Sequence, residues 1–191
     1  MKILCDGHEE IWFFEPMPDA ANWLAENNQD PRIYVIQAAC GTKSQRRTMT
    51  VYNGGLSSSF GVCTEQARRC YSNHNLLAEG EIVVDVVNVY EYLTAIGIDE
   101  LETLATDAQG MDLEILKTVS PWLKDGKIGT VICEADRDGF RHYDEVPPNN
   151  VADFHEFMTG FPAYEFAGHT DAMFNPDLMW IRKKQKGNGL D

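Results

Sequence analysis

Apolar and polar residues follow one another in blocks that have the lengths of strands and helices. The aromatic run Ile11–Phe14 ends before Pro16 and predicts a buried strand, because proline interrupts strand pairing. A segment with helical spacing opens at Pro18 and ends near Asn27. The run Ile33–Ile36 predicts the next strand. A strand, a helix and a second strand in this order are typical of a parallel sheet.

The middle of the chain, from residue 42 to residue 97, has a less regular pattern. It predicts an edge strand, a turn, a polar loop, a short helix, a second strand and a helix that Gly97 closes. In chain order these are Thr48–Tyr52, 53–55, Leu56–Phe60, 65–74, Ile82–Val87 and Val89–Ile96.

Regular alternation returns after residue 100 and continues to the basic tail. We predict a buried strand, a helix, another buried strand, a helix and a closing antiparallel hairpin. In chain order these are Leu101–Ala105, Leu113–Trp122, Ile128–Cys133, Val151–Met158, and the pair Ala163–Ala167 and Leu178–Ile181. The whole chain, 1–191, is expected to be one domain, with a poorly structured start at 1–10 and a flexible tail at 184–191.

Charge and cysteine content restrict the classes of function. Thirty acidic residues against sixteen Lys and Arg give a net charge of −14, which repels phosphate backbones and argues against nucleic-acid binding. No apolar run reaches the length that a membrane span needs, and the first residues do not have the pattern of a secretory signal. Five scattered cysteines without a CxxC pair favour free thiols in a reducing compartment, so we expect a cytoplasmic protein.

Three predicted strands lead into an acidic residue within two positions of their ends: Glu15, Asp107 and Glu134. Acids after strands often serve only to cap the next helix. In open α/β sheets, however, ligands bind at the carboxyl ends of the strands, where these three side chains would meet. A carboxylate there can accept hydrogen bonds from both hydroxyls of a ribose, and several together favour a cationic ligand. A nucleoside with a positive sulfonium meets both descriptions.

Candidate bases for the chemistry are Asp107, Glu134 and His142. His142 lies in a polar segment whose ordinary role is a surface loop. The pairs His142/Asp144 and His169/Asp171 resemble metal ligands only weakly, so we expect no metal site.

One string of residues is distinctive. The segment 106–117, TDAQGMDLEILK, resembles the most specific motif of the FkbM family of S-adenosylmethionine-dependent methyltransferases. The segment from Phe14 to Pro18 resembles the family's second strand, and Ile82–Leu93 and Ile132–Glu134 fit its order. A serine-rich stretch at 57–59 also falls where members carry one. The resemblance spans residues 11–183.

The resemblance implies a doubly wound, Rossmann-like methyltransferase fold that uses S-adenosylmethionine. It implies that Glu15 holds the ribose, that Gln37, Ala38 and Ala39 lie near the adenine, and that Asp107 lines the methyl-transfer cleft. The implied reaction is O-methylation of a small-molecule acceptor, such as a hydroxyl of a saccharide or secondary metabolite.

The family's glycine-rich cofactor loop precedes the strand that matches Ile11–Phe14. Only ten residues precede Ile11, so we expect the fold to lack its first strand and helix. Three explanations remain open: a truncated gene, a partner chain that completes the fold, or loss of the cofactor function with retention of a binding role. An exposed sheet edge would also favour self-association.

Overall fold

The computed structural model describes residues 10–184 as a mixed α/β fold. Its strands are β1 (Ile11–Phe14), β2 (Ile33–Ile36), β3 (Ala39–Cys40), β4 (Gln45–Tyr52), β5 (Val62–Cys63), β6 (Ala78–Val87), β7 (Leu101–Thr106), β8 (Ile128–Glu134), β9 (Tyr143–Asp144), β10 (Tyr164–His169) and β11 (Asp177–Arg182). Its α-helices are α1 (Pro18–Asn27), α2 (Glu65–Cys70), α3 (Val89–Ala95), α4 (Asp112–Thr118), α5 (Ser120–Lys124) and α6 (Val151–Met158).

The helix ends have the capping chemistry that their sequences contain. Three helices begin after a residue whose side-chain oxygen accepts the backbone N–H three positions later: Thr64, Asn88 and Asn150, which satisfies one of the first-turn donors. Helix α1 instead has proline in its first turn, where the missing N–H has no consequence. Gly97 follows α3 with a φ of 91°, a conformation that glycine adopts without strain.

The strands form four hydrogen-bonded sheets among the described residues. In the largest sheet the order is β10-β11-β8-β7, with β7 and β8 parallel and the other neighbours antiparallel. Strands β1 and β2 form a parallel pair, β3-β6-β4 a three-stranded sheet, and β5-β9 a short ribbon. The predicted closing hairpin is confirmed as β10 and β11. That the strands belong to one doubly wound sheet stays a prediction.

The main core lies between β8, β11 and helices α4 to α6. Its most buried side chains, each at most 1% exposed, include Leu116, Leu123, Val131, Phe154 and Leu178. The aliphatic residues of these helices recur at helical spacing, so each helix packs one apolar face on the sheet. This core fixes the position of β8 and, through it, of the parallel strand β7.

The prediction that three buried strands precede the three acids is right for β8 only. All four residues of β1 are half-buried, and three of the six residues of β7 are exposed. Both strands border a large cavity, so their apolar side chains have fewer neighbours than their sequences suggest.

The helix predicted over 113–122 is two short helices, α4 and α5. Pro121 has no N–H to donate to the carbonyl of Lys117, where a continuous helix would place a hydrogen bond. The Ser120 hydroxyl donates to that carbonyl instead, at 2.6 Å. The chain therefore turns before α5 begins.

The sequence predicts a poorly structured start at 1–10 and a flexible tail at 184–191. Apart from residues 10 and 184, both segments are outside the described residues. Within 10–184, no helix is long and apolar enough to cross a membrane.

Candidate functional site

A cavity of about 1240 Å³ lies between β1 and β7. Residues of both strands line it along their whole length, and the β3 segment, the serine-rich loop and helix α3 contribute further walls. At the carboxyl ends of the two strands the lining includes Glu15, Asp107, Gln109 and two serines, Ser58 and Ser59. Acidic residues also line the amino ends of the two strands, Glu10 before β1 and Glu100 before β7.

Glu15 follows β1 and is half-buried at this polar end. Its backbone N–H donates to the Ile36 carbonyl at 3.0 Å, which extends the pairing of β1 with β2. Its Oε1 accepts the Met17 N–H at 2.8 Å. Burial raises the pKa of the Glu15 carboxyl, the Met17 hydrogen bond opposes this, and the negative charge of Asp107 raises it further.

Asp107 stands next to Glu134 because of the register between two parallel strands. Thr106 of β7 pairs with Cys133 of β8, so the next residue of each strand is an acid at the same edge. Asp107 is exposed toward the cavity, whereas Glu134 is largely buried.

Burial and the charges of four aspartates raise the pKa of Glu134 to about 9. The four are Asp107, Asp112, Asp136 and Asp177. Glu134 is therefore a neutral acid at physiological pH that can donate a hydrogen bond. Asp112, at the start of α4, is fully buried, and burial raises its pKa to about 7.

Gln109 holds Asp107 in place. Its side-chain amide donates to Asp107 Oδ1, and its Oε1 lies 2.8 Å from the Tyr143 hydroxyl. The Ser59 hydroxyl donates to the Gln109 carbonyl at 2.7 Å. Gln109 itself has a φ of 49°, a conformation uncommon for a residue other than glycine. Two hydrogen bonds from distant segments thus support a strained residue beside the acid.

His142 does not line the cavity wall. Its ring stacks against Tyr71, with centroids 5.1 Å apart, and against Tyr143, at 4.4 Å. Neither ring nitrogen has a hydrogen-bond partner among the described residues. Burial, with a smaller contribution from His74, lowers its pKa to about 4, which makes the imidazole a weak base. Its assignment as a candidate base stays untested, and its position is one layer behind Tyr143.

The three residues expected near the adenine follow β2. Ala39 borders the cavity, Ala38 is buried and Gln37 is exposed. Their roles remain predictions.

Ser58, Ser59 and Tyr143 were missed as site residues by reasoning from sequence. The serine-rich stretch was expected to be a polar loop, but all three serines are at least nine-tenths buried. The Ser58 hydroxyl has no hydrogen-bond partner among the described residues, although it borders the cavity. A run of three serines is a weak signal for such a site, and Tyr143 gave no signal.

Glu15 and Asp107 both line the cavity, whereas Glu134 is not among the described residues that line it. The charge of Asp107 raises the pKa of both glutamates, so their convergence at one site stays a prediction. Carboxyl groups at this end of the cavity can bind a cation or a vicinal diol. Within residues 10–184, no group of three or more His, Cys, Asp and Glu side chains could hold a metal ion.

Comparison with known proteins gives one result on identity. The family description that matches is the methyltransferase FkbM domain, over residues 1–166. No curated protein and no solved structure matches the chain. Because the matched region covers most of its 191 residues, the chain belongs to the FkbM methyltransferase domain family.

Proposed function

We propose that this protein is an S-adenosylmethionine-dependent O-methyltransferase that acts on a hydroxyl group of a saccharide or another small metabolite. Membership of the FkbM family supports a methyltransferase. The observation that carries the proposal is that Glu15 and Asp107 line one end of a cavity of about 1240 Å³, where the charge of Asp107 acts on both Glu15 and Glu134.

The residues at this end fit the nucleoside part of the cofactor. Glu15 supplies a carboxylate for the ribose diol, with Oε2 free of hydrogen bonds to other described residues. Ser58 supplies a buried hydroxyl that lacks a partner within the described part of the chain, and such groups are normally satisfied. The negative charges of Glu15 and Asp107 suit a sulfonium. Gln37, Ala38 and Ala39 are proposed to lie near the adenine.

The protein's own groups have defined tasks in this proposal. When bound, S-adenosylmethionine supplies an electrophilic methyl group. Asp107, held by Gln109, accepts the proton that the acceptor hydroxyl loses. Glu134, neutral because its pKa is about 9, donates a hydrogen bond toward the same region. His142 stacks on Tyr143 and positions it, and the Tyr143 hydroxyl in turn donates to Gln109 Oε1.

The proposal includes an arrangement of the strands. We infer that the β2-β1 pair and the β7-β8-β11-β10 sheet are two parts of one doubly wound, Rossmann-like sheet, with the cavity between them. The four described cysteines are free thiols, which supports a reducing compartment such as the cytoplasm.

Titration calorimetry with S-adenosylhomocysteine tests the proposal. We expect binding, and we expect Glu15→Ala to weaken it at least about tenfold, or about 1.4 kcal/mol, because the ribose loses its carboxylate. The matched control is Glu26→Ala on the exposed side of helix α1, which should bind as the unchanged protein does. A folded protein that binds neither S-adenosylhomocysteine nor S-adenosylmethionine would contradict the proposal.

A second candidate is a methyltransferase-fold binding module without catalytic activity. One observation favours it: of the three candidate bases, Asp107, Glu134 and His142, only Asp107 is among the described residues that line the cavity. Such a module would bind a partner at the cavity and would show no methyl transfer to any hydroxyl acceptor.

A further inference from the structure

Asp112 closes the turn that carries the site residue Asp107. It is the first residue of α4 and is fully buried. Its Oδ1 accepts the Ala108 N–H at 3.0 Å, and the Ala108 carbonyl accepts the Met111 N–H at 3.3 Å. The Asp112 side chain therefore joins the 107–111 turn to the start of the helix.

The turn needs this support because its backbone is strained. Gln109 and Gly110 both have positive φ values, of 49° and 94°. Only glycine adopts this conformation without steric cost, and strained residues persist where the surrounding contacts determine them. The hydrogen bond between Asp112 and Ala108 is one of those contacts, so its loss favours opening of the turn.

The second carboxyl oxygen of Asp112 is buried without a partner. Neither this Oδ2 atom nor the neighbouring Thr106 hydroxyl has a hydrogen-bond partner among the described residues. An ionised carboxyl in such a position lacks the contacts that normally offset the loss of water. A proton on Oδ2 removes the charge and supplies a donor for the Thr106 hydroxyl oxygen. The closed turn thus favours the neutral acid.

The ionisable groups around Asp112 reinforce this preference. Burial is the largest effect on its carboxyl, and together with the charge of Asp107 it raises the pKa to about 7 against the opposing effect of the neighbouring hydroxyl and backbone N–H groups. On α4 itself, Glu114 and Lys117 pair with each other at 2.6 Å. The groups whose pKa Asp112 raises in turn are acidic or thiol side chains at the ends of β8 and β3: Glu134, Cys133 and Cys40.

We propose that Asp112 is a proton-dependent positioning residue, which holds the 107–111 turn closed when it carries a proton and opens the turn when it ionises. Opening brings the carboxylate into water, which compensates its charge. The turn carries Asp107 and Gln109, so the proton on Asp112 keeps both in their arrangement at the cavity. The proposal does not rest on methyl transfer, since the turn opens and closes without a ligand.

Hydrogen exchange of the Ala108 amide, followed by NMR on the unchanged protein, tests the proposal. In the open turn the Asp112 carboxyl has its ordinary pKa of 3.8, whereas in the closed turn it keeps its proton up to about pH 7. The closed turn binds more protons between these values, so its stability falls as the pH rises. After correction for intrinsic exchange, we expect protection of the Ala108 amide to fall by up to about tenfold per pH unit from about pH 5 to about pH 7, and to stay constant above.

Asp112→Asn is the matched variant, because asparagine reproduces the neutral side chain. Its oxygen can accept the Ala108 N–H, and its NH₂ group stands in the place of the protonated Oδ2. We expect protection of Ala108 to be constant over the same range and, at about pH 7, at least about tenfold higher than in the unchanged protein.

An exposed hydrogen bond of the same kind serves as the internal control. The Ala152 N–H donates to Oδ1 of the exposed Asp138 at 3.1 Å. Water hydrates this carboxylate whether or not the hydrogen bond forms, so we expect protection of the Ala152 amide to change little with pH.

The other outcomes overturn the proposal. Constant protection of Ala108 in the unchanged protein would show that the turn does not respond to Asp112. The same fall in Asp112→Asn, or a fall that continues to about pH 9, would assign the effect to another group such as Glu134. A parallel fall at Ala152 would indicate unfolding of the whole protein. All of these results are obtained without ligand, so none affects the calorimetric test of Glu15.

Discussion

At neutral pH the side chain of Glu134 keeps its proton, because burial and four neighbouring aspartates raise its pKa to about 9. Glu134 is therefore a neutral acid beside Asp107, which follows the adjacent parallel strand. Strongly shifted pKa values are common where proton transfer occurs.

We expect Glu134→Gln to raise the free energy of unfolding, and to raise it more at about pH 8 than at about pH 5. In the unfolded chain Glu134 releases its proton above its ordinary pKa of 4.5, whereas the folded protein holds the proton up to about pH 9. Between these values the folded state binds more protons, so this group lowers stability by about 1.4 kcal/mol for each rise of one pH unit. Glutamine has no proton to release.

Urea unfolding at the two pH values measures this effect. The control is Glu81→Gln on the exposed surface of β6, which should change stability little at either pH. An equal effect of Glu134→Gln at both pH values would show that the carboxyl titrates normally in the folded protein.

Among the elements, helix α4 depends on one buried amide for its orientation toward the site. Asn149 Oδ1 accepts the Leu113 N–H at 2.9 Å, and its Nδ2 donates to the Glu134 carbonyl at 3.2 Å. One side chain thus joins the first turn of α4 to the end of β8. It holds the start of α4, which carries Asp112, against the end of β8, which carries Glu134.

We expect Asn149→Ala to destabilise the protein by roughly 1–3 kcal/mol, because it leaves two backbone groups without their partner in a buried region. Chemical unfolding gives the size of the change, with Asn27→Ala at the exposed end of α1 as the comparison. A loss no larger than that of Asn27→Ala would mean that water replaces both hydrogen bonds.

For the molecule as a whole, the net charge of −14 is the dominant electrostatic feature. Like charges on a compact surface repel one another and weaken the folded state. Salt shortens the range of that repulsion, from roughly 30 Å at 0.01 M to roughly 3 Å at 1 M.

We therefore expect the midpoint of thermal unfolding to rise by several degrees between about 0.01 M and about 1 M sodium chloride. Scanning calorimetry measures the midpoint, and sucrose at matched osmolarity controls for effects unrelated to charge. A midpoint that is unchanged or lower at high salt would show that attractive ion pairs outweigh the repulsion.

The sequence by itself determined most elements and the family. Strand and helix positions follow from local periodicity and from proline and glycine, which act within a few residues. The segment 106–117 carries the family motif within twelve consecutive residues. The meeting of Asp107 and Glu134 was also predictable, because parallel neighbouring strands bring their carboxyl ends to one edge.

Only the tertiary structure decided the burial and the partners of the site residues. The high pKa of Glu134, the stacking of His142 on Tyr143 and the burial of Ser58 all depend on segments far apart in the chain. The cavity between β1 and β7 likewise depends on which strands pair. Because both strands border it, they are less buried than their sequences suggested. Local pattern fixes which residues can form a strand, but contacts across the fold decide what covers it.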